Sequence, residues 1–60
     1  MTPEELKNHY KSNYRFHKET GYAANSLRHW LRNGYVPLGA QFILEEITKG
    51  LFKAERNKNE

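Results

Sequence analysis

The sequence predicts an all-α domain of four to five short helices, and three observations predict it. Apolar residues recur at spacings of three and four, as in Leu27, Trp30 and Leu31, rather than alternating. Glycines stand where helices would stop, at Gly21, Gly34 and Gly50, and prolines where they would start, at Pro3 and Pro37. The chain of 60 residues holds one domain. Residues 1–55 are expected to fold, with 56–60 as a disordered polar tail.

A chain this short buries only about 60% of its unfolded surface, so its core is marginal. It has no cysteine, which excludes disulfide staples, thiolate metal sites and cysteine nucleophiles. Self-association is the remaining way to gain buried area. No apolar run approaches the roughly 18 residues that cross a bilayer, and MTPEELKNHY lacks the basic and apolar regions of a signal peptide. The expectation is a cytoplasmic protein with no membrane partner. The formal net charge is +3, with a pI near 9.4, which fits a nucleic-acid partner. Lys7, Lys11, Arg15, Lys18, Arg28 and Arg32 bracket the central stretch, and Glu45 and Glu46 lie beyond it.

Thr2-Pro3-Glu4-Glu5 is a helix start: Thr2 can cap, Pro3 fits the first helical position, and Glu5 can complete a capping box. The first helix should span residues 3–10, with Leu6 and Tyr10 on one face. Ser12 is the next cap, and Phe16 is the apolar anchor of a second helix that Gly21 ends. Two helices meeting at a glycine corner are the sequence signature of a helix-turn-helix. The third helix runs from about Ala24 to Asn33. Its Leu27, Trp30 and Leu31 form a buried face, and Asn25, Arg28, His29 and Arg32 fall largely on the other. That polar face holds hydrogen-bonding side chains and no acid, as base edges in a major groove require; a plain solvated face has a similar composition.

Asn33-Gly34 stops the third helix, and Tyr35 and Val36 are expected to fold back onto it. From Leu38 to Lys49 the pattern is helical again, with Ala40, Ile43, Leu44, Ile47 and Leu51 marking one wide apolar face and Phe42 toward its edge. Residues 51–54 are too short to assign. His9, His17 and His29 lie on three different helices without cysteine or paired carboxylates, so no enzyme activity, cofactor or metal is expected. His17 is expected to pack at the corner between helices.

Residues 12–37, SNYRFHKETGYAANSLRHWLRNGYVP, resemble the helix-turn-helix of phage repressors, most closely the all-helical members of the Cro family. The resemblance implies an operator-binding repressor that acts as a homodimer on double-stranded DNA in the cytoplasm of a bacterial host. It implies base contacts at Ala24, Asn25 and His29, with Arg28 able to reach a base or a phosphate. It places Asn13 and Ser26 on the phosphate backbone, where the basic Arg15, Lys18 and Arg32 join them. Phe42, Leu44, Leu51 and Phe52 are the expected dimer interface. The chain departs from the family's usual residues at His17, Thr20 and Ala23, which remove apolar volume and a helix cap; Tyr22 is expected to refill part of that volume. An alternative of another class is a small protein-binding phage regulator that uses an apolar helical face. RNA binding would need Tyr14, Tyr22 and Tyr35 on one surface.

Overall fold

The structure, a computed structural model, describes residues 1–55, so the tail at 56–60 lies outside the described residues. Four helices follow one another: α1 (Pro3–Tyr10), α2 (Asn13–Thr20), α3 (Ala24–Asn33) and α4 (Leu38–Ile47). The fold is all-α. Among the described residues there is no fifth helix, residues 51–55 being bend and irregular chain.

Each helix begins and ends for a local reason. Thr2 Oγ1 accepts from the Glu5 amide at 3.2 Å, and Glu5 Oε1 accepts from the Thr2 amide at 3.0 Å, completing the capping box of α1. Ser12 Oγ accepts from the Arg15 amide at 3.1 Å and starts α2. Gly21, at φ 84°, ends α2 in the left-handed region that a β-carbon disfavours. α3 starts at Ala23 with no side-chain cap. α4 ends at Ile47, two residues short of the span its pattern suggests. Thr48 Oγ1 donates back to the Leu44 carbonyl at 2.8 Å and accepts from the Phe52 amide at 3.2 Å. Lys49 and Gly50 then turn left-handed, at φ 55° and 86°.

α1, α2 and α3 pack against one another, while α4 makes no comparably close helix–helix contact among the described residues. The core is formed by Leu6, Phe16, Leu27 and Leu44, fully buried, with Met1, Tyr10, Trp30 and Val36 around them. The loop after α3 divides: Val36 folds back into the core, and Tyr35 stays exposed.

The inward face of α4 differs from the expected one. Ala40, Gln41 and Leu44 turn inward, whereas Ile43, Ile47 and Leu51 are exposed. The reason is polar. Buried Gln41 donates from Nε2 to the Val36 carbonyl at 2.8 Å, and its Oε1 accepts from the Glu55 amide at 2.9 Å and the Met1 ammonium at 3.2 Å. A buried amide has to satisfy both ends, and doing so fixes the rotation of α4 against its isoleucines. Glu45 Oε1 accepts from the Ala54 amide at 2.9 Å and fastens the same C-terminal segment.

Burial raises the Tyr10 phenol above its ordinary pKa of 10.0, and the Glu19 carboxylate adds to the effect. A raised phenol pKa favours folding while the group is protonated. Its contribution is therefore complete below pH 10 and is lost as pH climbs from there through the folded value. Urea unfolding at pH 9 and pH 11 should show wild type losing more stability than Tyr10→Phe over that interval. The uncapped start of α3 gives a second expectation. Ala23→Ser should supply the missing acceptor and stabilise the domain by about 1 kcal/mol, and Ser12→Ala should destabilise it by a similar amount, both measurable by thermal melts.

Candidate nucleic-acid interface

α2 and α3 are joined by a three-residue turn, Gly21 to Ala23. Thr20, His17 and Tyr22 build this turn. Thr20 Oγ1 donates to the Phe16 carbonyl at 2.7 Å and accepts from the Tyr22 amide at 3.1 Å, so one hydroxyl closes α2 and receives the chain leaving it. The His17 ring is exposed rather than packed; Nδ1–H donates to the Tyr22 carbonyl at 2.7 Å across the turn. Tyr22 supplies the apolar volume. Its ring stacks on Phe16 at 6.2 Å and meets Trp30 edge-on at 5.4 Å. The corner is therefore held by hydrogen bonds over an aromatic base.

That corner fixes which way α3 faces. Leu27 and Trp30 are buried and Leu31 half-buried, which sends Asn25, Arg28, His29 and Arg32 outward at i, i+3, i+4 and i+7. All four are exposed, and among the described residues none of their side chains holds a hydrogen bond or ion pair. α3 carries no acid. Its outer face is thus a row of donors, two of them guanidinium forks, on a helix whose orientation is set by its buried side. Arg is suited to guanine edges and phosphates and Asn to adenine. Ala24 and Ser26 are half-buried at the start of α3; Ala24 offers only a methyl group, which suits contact with a thymine methyl.

On α2 the expected backbone-contacting residues differ in what they already hold. The side near the turn carries His17, with Tyr14 and Lys18 beside it, and Lys18 Nζ lies 5.9 Å from the centre of the exposed Tyr14 ring. The adjoining strip carries Arg15 and Glu19, whose carboxylate accepts from Arg15 at 3.2 Å. Both partners are exposed, so this pair contributes little and releases its guanidinium readily. Asn13 is half-buried, and its Oδ1 accepts from Lys7 Nζ at 3.3 Å. Lys7 as the partner of Asn13 escapes sequence reasoning, because the two sit on different helices at no periodic spacing.

The expected dimer residues fare unevenly. Leu44 is fully buried in the domain's own core and offers no surface to a second chain, because its rotation follows that of Gln41. Phe52 is half-buried against that core, with its ring 5.2 Å from His9. Phe42 and Leu51 are exposed, and so are Leu38, Ile43 and Ile47, which the expected interface omits. The signal for them was the composition of α4, which is apolar around most of its circumference. The surface required for RNA stacking does not form, since Tyr22 packs into the core cluster while Tyr14 and Tyr35 are exposed. Among the described residues, no group of three or more His, Cys, Asp or Glu residues could hold a metal ion, and no helix is long and apolar enough to cross a membrane.

Replacing Thr20 by valine keeps the volume and removes both hydroxyl bonds. It should cost about 1–3 kcal/mol by leaving the Tyr22 amide without its acceptor, seen as a lower urea midpoint with an unchanged slope.

Comparison with protein-family models, with curated proteins and with solved structures finds no match.

Proposed function

We propose that this chain binds double-stranded DNA sequence-specifically, as a phage repressor acting at an operator in the bacterial cytoplasm. The observation that carries this reading is the outer face of α3. Asn25, Arg28, His29 and Arg32 form an exposed, acid-free row, with no partner among the described residues, on a helix held rigidly from behind by Leu27 and Trp30. Among the described residues that surface has no complement, and the edge and backbone of a duplex supply one.

In this reading α3 enters the major groove. Asn25 and His29 meet base edges, and Arg28 meets guanine or a phosphate. Ala24 approaches a thymine methyl. Asn13, Lys18, Ser26 and Arg32 set the register through phosphates, with Arg15 joining once it leaves Glu19. Two copies place their α3 helices in successive grooves about 34 Å apart on a near-palindromic site. Repression follows from occupancy that excludes polymerase, with no bond made or broken. A second reading, a protein-binding regulator, has one observation in its favour: the exposed apolar side chains of α4.

The test is equilibrium binding to an operator duplex, obtained by selection from random sequence, and to a scrambled duplex, across a salt series. Asn25→Ala should weaken the operator complex by about 1–3 kcal/mol and leave the scrambled complex nearly unchanged. Lys18→Ala should weaken both and reduce the magnitude of the salt slope by about 1. Equal loss on both duplexes from Asn25→Ala would remove its role in base readout. Failure of the wild type to bind any duplex at low salt would favour the protein-binding reading.

A further inference from the structure

Asn33 is followed by Gly34, and no other asparagine in the sequence precedes a glycine. The pair stands at the end of α3, with Asn33 the last helical residue and Gly34 the cap. Both are exposed, and among the described residues the Asn33 side chain holds no hydrogen bond. Gly34 lies in the left-handed region at φ 89°, and a β-carbon there would meet nothing within 4 Å. The residue that stops the helix must be permissive of that backbone, and the same choice leaves its nitrogen without a side chain to shield it.

We infer that Asn33 is a site of spontaneous deamidation in the folded chain, and that the carboxylate formed there weakens the α3 face for DNA. The Gly34 nitrogen attacks the Asn33 side-chain carbonyl carbon and closes a succinimide ring. The Cγ–Nδ2 bond breaks, and Nδ2 leaves as ammonia, taking the proton that the Gly34 nitrogen gives up. Water then opens the ring. Opening at Cγ gives aspartate, and opening at the backbone carbonyl gives isoaspartate, in which the chain runs on through Cγ. In sum one amide and one water become one carboxylate and one ammonium ion, with no oxidant or reductant involved.

The fold sets the rate. The Gly34 amide donates to the Trp30 carbonyl at 2.8 Å, and Trp30 is held in the core. While that bond stands, the nitrogen is engaged and does not attack. Reaction needs the last turn of α3 to open, a local event that costs far less than global unfolding. Arg32, Asn33, Gly34 and Tyr35 are all exposed, so opening this turn disturbs little buried surface.

Asn33 lies four residues beyond His29 and next to Arg32, so it adjoins the row of donors. A carboxylate there is ionised at neutral pH. It gives α3 an acid where the helix has none, one turn from His29 and beside a guanidinium assigned to phosphate. It also sits at the negative end of the helix dipole, where an anion is unfavourable. The effect on DNA rests on the operator-binding reading, whereas the chemistry at Asn33 does not.

Incubating the full chain at mildly alkaline pH, with peptide mass spectrometry over days, reads the chemistry. Asn33 should exchange amide for acid ahead of Asn8, Asn13 and Asn25, and urea should speed the exchange several-fold by releasing the Gly34 amide. Asn33→Gln, which keeps an amide but lengthens the side chain, should stay unmodified at that position. No exchange at Asn33 in the folded chain would overturn the inference, and equal rates in folded and unfolded chain would overturn the gating by Trp30. The consequence is read by binding fresh wild type, aged wild type, Asn33→Gln and Asn33→Asp to a nonspecific duplex. At low salt the aged chain and Asn33→Asp should bind several-fold more weakly than the other two, and the gap should shrink as salt rises. Asn33→Asp should keep the helical circular dichroism of wild type. Equal binding by Asn33→Asp and fresh wild type would overturn the weakening. A wild type that binds no duplex would end the operator-binding reading and the weakening with it, while modification at Asn33 stands on the mass measurement.

Discussion

The structure depends on Phe16. Its ring, fully buried, meets Tyr10 of α1 edge-on at 5.4 Å, Trp30 of α3 edge-on at 5.8 Å, and stacks on Tyr22 of the turn at 6.2 Å. One side chain on an eight-residue helix thus ties together the three helices and the corner between two of them. Aromatic pairs add direction to the burial they contribute, since edge-to-face contact fixes ring orientation as well as distance. A domain with so few buried residues needs that economy, because a core of aliphatic side chains alone would be marginal at this length.

From the aromatic cluster the polar consequences follow in order. Trp30 and Leu27 hold one side of α3 inward, so Asn25, Arg28, His29 and Arg32 have only the solvent side left. The hydroxyl of Thr20 and the imidazole of His17 close the turn over Tyr22, so the angle at which α3 leaves α2 rests on three short-range hydrogen bonds. The exposed donors inherit their positions from this corner, two steps removed from the groups that set it. Gln41 plays the matching part for α4. It joins the loop at Val36, the amino group of Met1 and the segment at Glu55, and by turning inward it sends Ile43 and Ile47 out.

What was legible in the sequence was whatever depended on neighbours within one turn of helix. The capping box at Thr2 and Glu5, the cap at Ser12 and the glycine stop at Gly21 form as local chemistry dictates, and the buried face of α3 follows its period. The volume supplied by Tyr22 was legible from the residues it replaces. The rotation of α4 was not legible, because periodicity ranks isoleucine above glutamine for the core. The glutamine wins only through partners five and fourteen residues away in sequence, and a third at the chain's start. The burial of Leu44 follows from the same rotation. The candidate site divides likewise: its α3 members follow from period alone, whereas the Lys7–Asn13 bond joins two helices and leaves no pattern in either.

The proposed DNA binding requires α3, rather than any other surface of the domain, to meet the duplex. Titrating the isotopically labelled chain with a duplex at low salt, and following backbone and side-chain NMR shifts, tests that most directly. If α3 enters the groove, Asn25, Arg28, His29 and Arg32 should shift first and most, together with Asn13 and Lys18, while Leu6, Leu27 and Leu44 hold still. Shifts confined to α4 and the 51–55 segment, with α3 unmoved, would contradict it.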